Sequence, residues 1–395
     1  MSREEEPISQ RYNFFLALQT IYTFYGIVAV ENLCTFGVLY PRLFMTPGEL
    51  QHIRLYNQLL TLHELKEPRE VVARMGAMQS QALDMAKWAI GSRLQGHTAK
   101  SITDALNRGE VIRTHILRPT WHFVAAEDLW WMYTLSYPRL KPVYRSYAKM
   151  LGADETLLYS YIPLIGELLS GGMHLTKQEM GNALAERKVI LDDNHLSLLL
   201  SFAELEGVIV NGILDGNRQT FTLLEEWVSR IRDISREEAL ERLACRYFSS
   251  HGPATLQDFN WWSGLSATEC RQAMEMIRPR FIRETVNERE YWMSNDIRTP
   301  SPDQDSALLL APFDEFVVSY KDRSGIIEEA HYSKVITRNG IFSPTIMLNG
   351  TAIGSWKKSM KKNVPRITLT FFGNVPKNTI RLFQPEVARL EQFYA

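Results

Sequence analysis

The chain has 395 residues, of which 45% are hydrophobic and 23% charged, and its formal net charge is −1. That length accommodates two or three domains with cores of their own, and the near-neutral balance excludes a strongly basic nucleic-acid coat, so any DNA contact must come from local patches. Cys34, Cys245 and Cys270 are too scattered for a disulfide framework or a zinc pattern and suit a reducing cytoplasm.

The first predicted element is "FFLALQTIYTFYGIVAV", Phe14 to Val30, apolar and uncharged. It is slightly short for a membrane span and lacks a small-residue cleavage site, and Glu4, Glu5 and Glu6 oppose a signal-peptide reading. The preferred reading is a buried helix extra to the main fold. A membrane anchor and a start site at Met45 are the alternatives, so residues 1–48 are set apart as an extension. From Glu49, "ELQHIRLYNQLL" and "REVVARMGAMQSQALDMAKWAIGSRL" repeat apolar residues at intervals of three and four and predict helices. "SITDALNRGEVIRTHILRPTWHFV" predicts a short helix followed by a hairpin. Helices closed by a small hairpin are the plan of a winged helix, here over residues 49–150.

The pattern recurs over 151–232, where Thr176 and Glu179 form a predicted capping box and a hairpin turns at Asp215 to Asn217. A third copy occupies 233–300, with "TECRQAMEMI" as its recognition-helix candidate. Residues 301–395 read as mostly β: "ALLLAPFDEFVVSY", "SPTIMLNGTAIGSW" and "PRITLTFFG" are predicted strands, with an Asn-Gly hairpin turn in "LNGT". "SNDIRTPSPDQDSA" is the predicted linker before them. The fold class expected is therefore α+β, tandem winged-helix units followed by a β-rich, barrel-like C-terminal domain.

Five stretches in order, "MQSQALDMAKWAIGSRL", "LRPTWHFV", "RYFSSHGPATLQDFNWWSGL", "LLLAPFDEFVVSYKDR" and "PTIMLNGTAIGSWK", resemble the winged-helix DNA-binding proteins that include the AlkZ/YcaQ-like bacterial DNA glycosylases. The resemblance runs from about Arg54 to the end and leaves the first fifty residues uncovered. It implies tandem winged helices, duplex DNA as partner, and base-releasing activity. In the active relatives a Gln-x-Gln or Gln-x-Asp motif is the catalytic signature, which carries that role to Gln79 and Gln81. The residue between them is usually apolar, whereas here it is Ser80.

The chemistry expected is hydrolysis of the N-glycosidic bond of an alkylated purine, monofunctional and without a lyase step. A base alkylated at N7 already carries positive charge and leaves without an acid, while the sugar passes through an oxocarbenium-like state. A glutamine carbonyl accepts from the attacking water and points its dipole at that cation. Amides at i and i+2 diverge by about 200° on a regular helix, so the pair is expected at a helix start or turn facing a cleft. Arg118, Thr120 and His122 would share one face of a strand and line the lesion cleft, with Trp121 pointing into the core. Asp314 is the preferred cleft carboxylate, whereas Asp322 and Arg323 read as an ion-pair network.

Lys357, Lys358, Lys361, Lys362 and Arg366 form a basic run suited to phosphates, with Lys177, Arg218 and Arg271 as further contacts. His251, in a Gly-Pro turn, is expected to cap or pack. The sequence contains no Gly-rich phosphate loop and no metal-ligand spacing, so neither a nucleotide cofactor nor a metal is expected, and a monomer suffices. The rival reading is a DNA-binding regulator without catalysis, on the same winged-helix plan.

Overall fold

The computed structural model describes residues 45–61, 64–216, 218–230, 232–295, 305–362 and 364–395. The apolar stretch 14–30, Cys34 and most of the predicted linker lie outside them.

The chain opens with α1 (Pro47–Asn57), started by a Thr46–Glu49 capping box with Pro47 in its first turn. Next come α2 (Pro68–Met75), β1 (Ala77–Gln79), α3 (Leu83–Gly91), α4 (Ala99–Asn107) and the hairpin β2 (Val111–His115) and β3 (Trp121–Ala125). The sequence "REVVARMGAMQSQALDMAKWAIGSRL" is therefore not one run of helix. Gly76, at φ +85°, ends α2, and three extended residues follow before α3 begins. β1 pairs with β3, giving the sheet order β1-β3-β2.

The long helix α5 (Ala126–Leu151) leads through α6 (Glu155–Ser160) to a second set with the same order. It consists of α7 (Ile162–Leu169), β4 (Leu175–Thr176), α8 (Lys177–Glu186), α9 (Asp193–Leu205), β5 (Ile209–Asp215) and β6 (Arg218–Leu223). Its sheet order, β4-β6-β5, matches the first, and Thr176 and Glu179 make the reciprocal capping box their spacing predicts. After α10 (Leu224–Trp227) the order returns in α11 (Arg236–Ser250), α12 (Leu256–Ser263), α13 (Ala267–Ile277) and the hairpin β7 (Phe281–Val286) and β8 (Arg289–Ser294). Here a single bridge, Ala254 to Trp292, stands where the first two sets have a short strand.

The remainder holds β9 (Ala307–Leu310), α14 (Glu315–Val318), α15 (Tyr332–Val335), β10 (Thr345–Leu348), β11 (Thr351–Lys361), β12 (Val364–Phe371), α16 (Lys377–Leu382) and α17 (Gln384–Phe393). Two expectations are corrected here. The strands form an open antiparallel sheet in the order β12-β11-β10-β9, with two free edges rather than a closed barrel. "ALLLAPFDEFVVSY" is strand only to Leu310, because Asp314 accepts the Phe316 amide and caps a helical turn.

The second set has a core of its own around Leu199, Phe202 and Ile209. The first and third sets share another, in which Met132, Tyr247, Trp262, Phe316 and Tyr320 are buried together. The C-terminal sheet packs on the first set through Trp88, Trp356 and Phe393. Both indoles there donate to backbone carbonyls of β9, Trp88 to Leu309 at 2.5 Å and Trp356 to Leu310 at 2.8 Å. β9 is thereby pinned to the first set, and α14 is held to the third, where the Trp261 indole donates to the Val318 carbonyl at 2.9 Å. No helix among the described residues is long and apolar enough to cross a membrane.

Candidate active site

Gln79 is the last residue of β1, opposite His122 on β3. One more ladder bond follows, Ser80 N to Trp121 O at 2.7 Å, before the chain bends into α3. Gln79 thus ends a strand, and Gln81 stands in the bend just before α3, close to the helix start or turn the spacing suggested. Gln79 is buried, with 6% of its surface exposed, whereas Gln81 is open to solvent. The Gln81 side-chain carbonyl accepts the Trp121 amide at 3.3 Å. Ser80, the small residue between them, is fully buried, and its backbone carbonyl accepts from the Arg113 guanidinium at 3.0 and 3.2 Å.

Around Gln79 the side chains of Arg118, His122 and Glu315 converge. Arg118 donates to the Gln79 carbonyl at 3.4 Å and to His122 Nε2 at 3.3 Å. His122 Nδ1 lies 2.8 Å from the Thr120 carbonyl, which fixes the proton on Nδ1 and leaves Nε2 as the acceptor for Arg118. Burial, then the neighbouring Arg118 charge, push the His122 imidazole down to about 3, so it is neutral at pH 7. Glu315, on α14, accepts the Gln79 backbone amide at 2.7 Å on one oxygen. Its other oxygen accepts the Trp262 indole at 2.9 Å and the Ser319 hydroxyl. Burial works against ionising this carboxylate, but His251, Arg118 and Ser319 together hold it at about 2. His251 lies 3.6 Å away with its own basicity lowered by burial, and its ring stacks on Tyr247 at 4.8 Å, as a packing role requires.

The expected face of Arg118, Thr120 and His122 forms by a different route. Only His122 is on a strand; Arg118 and Thr120 lie in the loop before it, which turns at Leu117 with φ +61°. Arg118 is nonetheless folded back onto His122. Gly264 leaves it room, since a Cβ there would lie 2.7 Å from the Leu117 carbonyl and 3.3 Å from Arg118 Cγ. The Thr120 hydroxyl is buried without a partner. Trp121 is half-buried rather than core: it stacks on His115 at 3.7 Å, and Arg113 lies 4.3 Å from its ring. Beside Trp121 a cleft of about 400 Å³ separates the first hairpin from the second set, lined by His115, Lys177, Ser201, Gln219 and Phe221 among others.

Asp314 does not join this group. Its side chain is fully buried in a two-pronged ion pair with Arg93, at 2.8 and 2.9 Å. The carboxylate that reaches Gln79 is its neighbour Glu315, which sequence reasoning passed over; the doublet "DE" after "PF" is its only signal. Asp322 pairs with Arg289 of β8, and Arg323 donates to the Val317 carbonyl at 2.7 Å.

The basic residues occupy separate elements. Lys357 and Lys361 are exposed on β11 near its turn to β12, and Arg366 sits opposite Ser359. Strand alternation puts these three on one face of the hairpin. Lys358 faces the other way, onto Asp84 and the Tyr394 ring. Lys362 is in the turn at φ +52°. Arg366 lies 3.6 Å from Glu391. Lys177 pairs with Asp193, Arg218 pairs with Asp215, and Arg271 donates to Thr268 within its own helix. No group of three or more metal-ligating side chains occurs among the described residues.

The AlkZ-like DNA glycosylase family model matches residues 72–393. A curated relative, the interstrand DNA cross-link repair glycosylase of Streptomyces sahachiroi, is 22% identical over 326 residues, covering 77% of this chain and 85% of that protein. The solved structure of Streptomyces sahachiroi DNA glycosylase AlkZ superposes with a TM-score of 0.74 at 18% identity, over 89% of this chain and 98% of its own. The match spans every element that builds the glutamine site, and by it this chain belongs to the AlkZ-like DNA glycosylases, hydrolases that act on DNA.

Proposed function

We propose that this protein hydrolyses the N-glycosidic bond of N7-alkylated purines in duplex DNA, including bulky and cross-linked adducts, with a water held by Gln79 and Gln81. The observation that carries this reading is the pair itself. One amide is locked by Arg118 and the neighbouring Glu315, and the second is open to solvent two residues on, in the bend before α3. A fixed carbonyl dipole beside an accessible one suits a water that must attack an oxocarbenium-like sugar. The three helix–strand–helix–helix–hairpin sets are read as winged-helix units that grip the duplex, and the β11–β12 hairpin as a phosphate contact. Every group named comes from one chain, so a monomer suffices, and the chemistry calls for no cofactor. The curated relative's name supports a cross-linked substrate, and the cleft beside Trp121, whose amide Gln81 accepts, gives a bulky adduct more room than a tight base-flipping pocket.

The test is unhooking. A duplex joined by one N7–N7 interstrand cross-link is incubated with the protein and run on a denaturing gel. Conversion to single strands supports the reading. An intact cross-link, with N7-methylguanine also left in place, favours a DNA-binding regulator.

Two further outcomes are expected. With His122 neutral down to about 3 and Glu315 ionised down to about 2, neither changes charge near neutrality, and a glutamine has no proton to lose. Release of N7-methylguanine is therefore expected to vary less than about threefold between about pH 5 and about pH 9; a bell-shaped profile would implicate a titrating acid or base instead. Replacing Lys357 and Lys361 together with alanine is expected to reduce the slope of log K against log salt by about 2, at equal cost on every sequence. Duplex titrations at several salt concentrations check it.

A further inference from the structure

We propose that Glu315 is a positioning residue for the glutamine site: it fixes Gln79 through its backbone amide and offsets the Arg118 guanidinium, so that the cation forming on the sugar meets no unbalanced positive charge. This rests on the reading of Gln79 and Gln81 given above.

The geometry assigns both parts. Glu315 comes from α14, 236 residues away in sequence, and places one oxygen 2.7 Å from the Gln79 amide. β1 is the edge strand of its sheet and the next ladder bond to β3 is made by Ser80, so the Gln79 amide faces the unpaired side, where a charged acceptor holds it more firmly than a neutral one. The carboxylate is itself over-determined by Trp262 and Ser319, and 1% of its residue surface is exposed. Its position can therefore be transmitted to Gln79 rather than lost in side-chain motion.

Charge gives Glu315 its second part. Arg118 donates to the very carbonyl that the proposed chemistry directs at a developing cation. A lone guanidinium there opposes catalysis, because like charges in a partly desolvated site repel. His122 is the other partner of Arg118 and is neutral, so it cannot balance the charge. Asp314, one residue away, is consumed by Arg93. Glu315 and Arg118 hold the same glutamine, one on its amide at 2.7 Å and the other on its side-chain carbonyl at 3.4 Å, and across it the carboxylate favours the charged guanidinium. With it Arg118, His122 and Glu315 sum to zero; without it they carry one positive charge beside the reacting sugar, in addition to that of Arg323, the other cation that acts on Arg118.

A residue that merely supports the fold and one that balances Arg118 differ in their response to removal of Arg118. Single-turnover release of N7-methylguanine from a duplex, at saturating protein, is measured for the full chain, E315Q, R118Q and E315Q/R118Q. Affinity for an undamaged duplex is measured in parallel. E315Q is expected to slow release about 30-fold with affinity within about threefold of wild type. The double variant is expected to be about tenfold faster than E315Q, because the unbalanced guanidinium is gone. E315Q at the wild-type rate overturns the proposal, as does a double variant slower than E315Q. If E315Q does not fold, the double variant carries the test, since it buries no unpaired charge: folded and within about tenfold of wild type supports the proposal, and folded but inactive overturns it. Failure of both to fold makes Glu315 structural and also overturns it. A wild-type protein that releases no base defeats the glutamine reading beneath, a result distinct from an active wild type with an indifferent E315Q.

Discussion

Gln79→Ala and Gln81→Ala are each expected to slow release of N7-methylguanine by about 10²- to 10³-fold, the loss typical of removing one preorganised dipole from a charge-developing site. The two should fail differently. Gln81 is exposed, and its carbonyl accepts only the Trp121 amide at 3.3 Å, a long bond at a strand end. Its removal should leave stability unchanged and affinity for the undamaged duplex within about threefold, because water replaces the lost acceptor. Gln79 is buried and bonded to Arg118. Its removal strands a guanidinium whose Nε is already without a partner, so a stability loss of about 1–2 kcal/mol should accompany the rate loss. Single-turnover rates, duplex affinities and denaturant midpoints separate these components. A Q81A protein that cuts at the wild-type rate would remove the solvent-facing amide from the mechanism.

Asp314→Ala has the largest expected effect on stability. Both members of the Arg93–Asp314 pair are fully buried, and the guanidinium also donates to the Gln58 and Ala89 backbone carbonyls, at 2.8 and 2.7 Å, and more weakly to the Gln58 side-chain carbonyl and the Ser92 hydroxyl, at 3.3 and 3.5 Å. Removing the carboxylate leaves a positive charge in the interior with only neutral dipoles to stabilise it. Breaking such a pair costs about 3–5 kcal/mol. The denaturant midpoint should fall accordingly with an unchanged slope, and the loss should shrink in D314A/R93M, where neither charge remains. Asp314 also caps α14, so part of the penalty reaches Glu315 and through it Gln79. A stable D314A protein with impaired base release would restore Asp314 to the cleft role its sequence context suggested.

The elements hardest to read in the sequence are those on which the site depends. The helical periodicity of "REVVARMGAMQSQALDMAKWAIGSRL" is real on both sides of Gly76, and three extended residues are too few to break it in any window. β1 exists because β3 offers a free edge, a tertiary fact. Likewise "DEFVVS" is β-branched and apolar and reads as strand; a side-chain cap and burial between the first and third sets make it helical instead. This choice also decides which of two adjacent carboxylates meets which partner. Asp314, at the cap, turns to Arg93, and Glu315, one residue on, turns to Gln79. Nothing in the sequence distinguishes them.

The repeated order of helices and hairpins was legible because turn residues and capping boxes mark each boundary, as at Thr176 and Glu179. The closed barrel was not realised because β9 and β12 stay at opposite edges of the sheet, a pairing that alternation alone does not specify. Arg118, Thr120 and His122 were grouped by an assumed strand. Arg118 and His122 do meet, through a loop that turns at Leu117 and a glycine, Gly264, that leaves room for it.

The central claim is that this chain cuts the bond to an N7-alkylated purine using its two glutamines. The most direct measurement is mass-spectrometric detection of free N7-methylguanine after single-turnover incubation of wild-type protein and Q79A/Q81A with a singly modified duplex. Binding of the same duplex is followed by fluorescence anisotropy. The account predicts free base with the wild type, none above the uncatalysed rate with the double variant, and binding by both. Equal release by wild type and double variant, or binding by the wild type with no release, would contradict it.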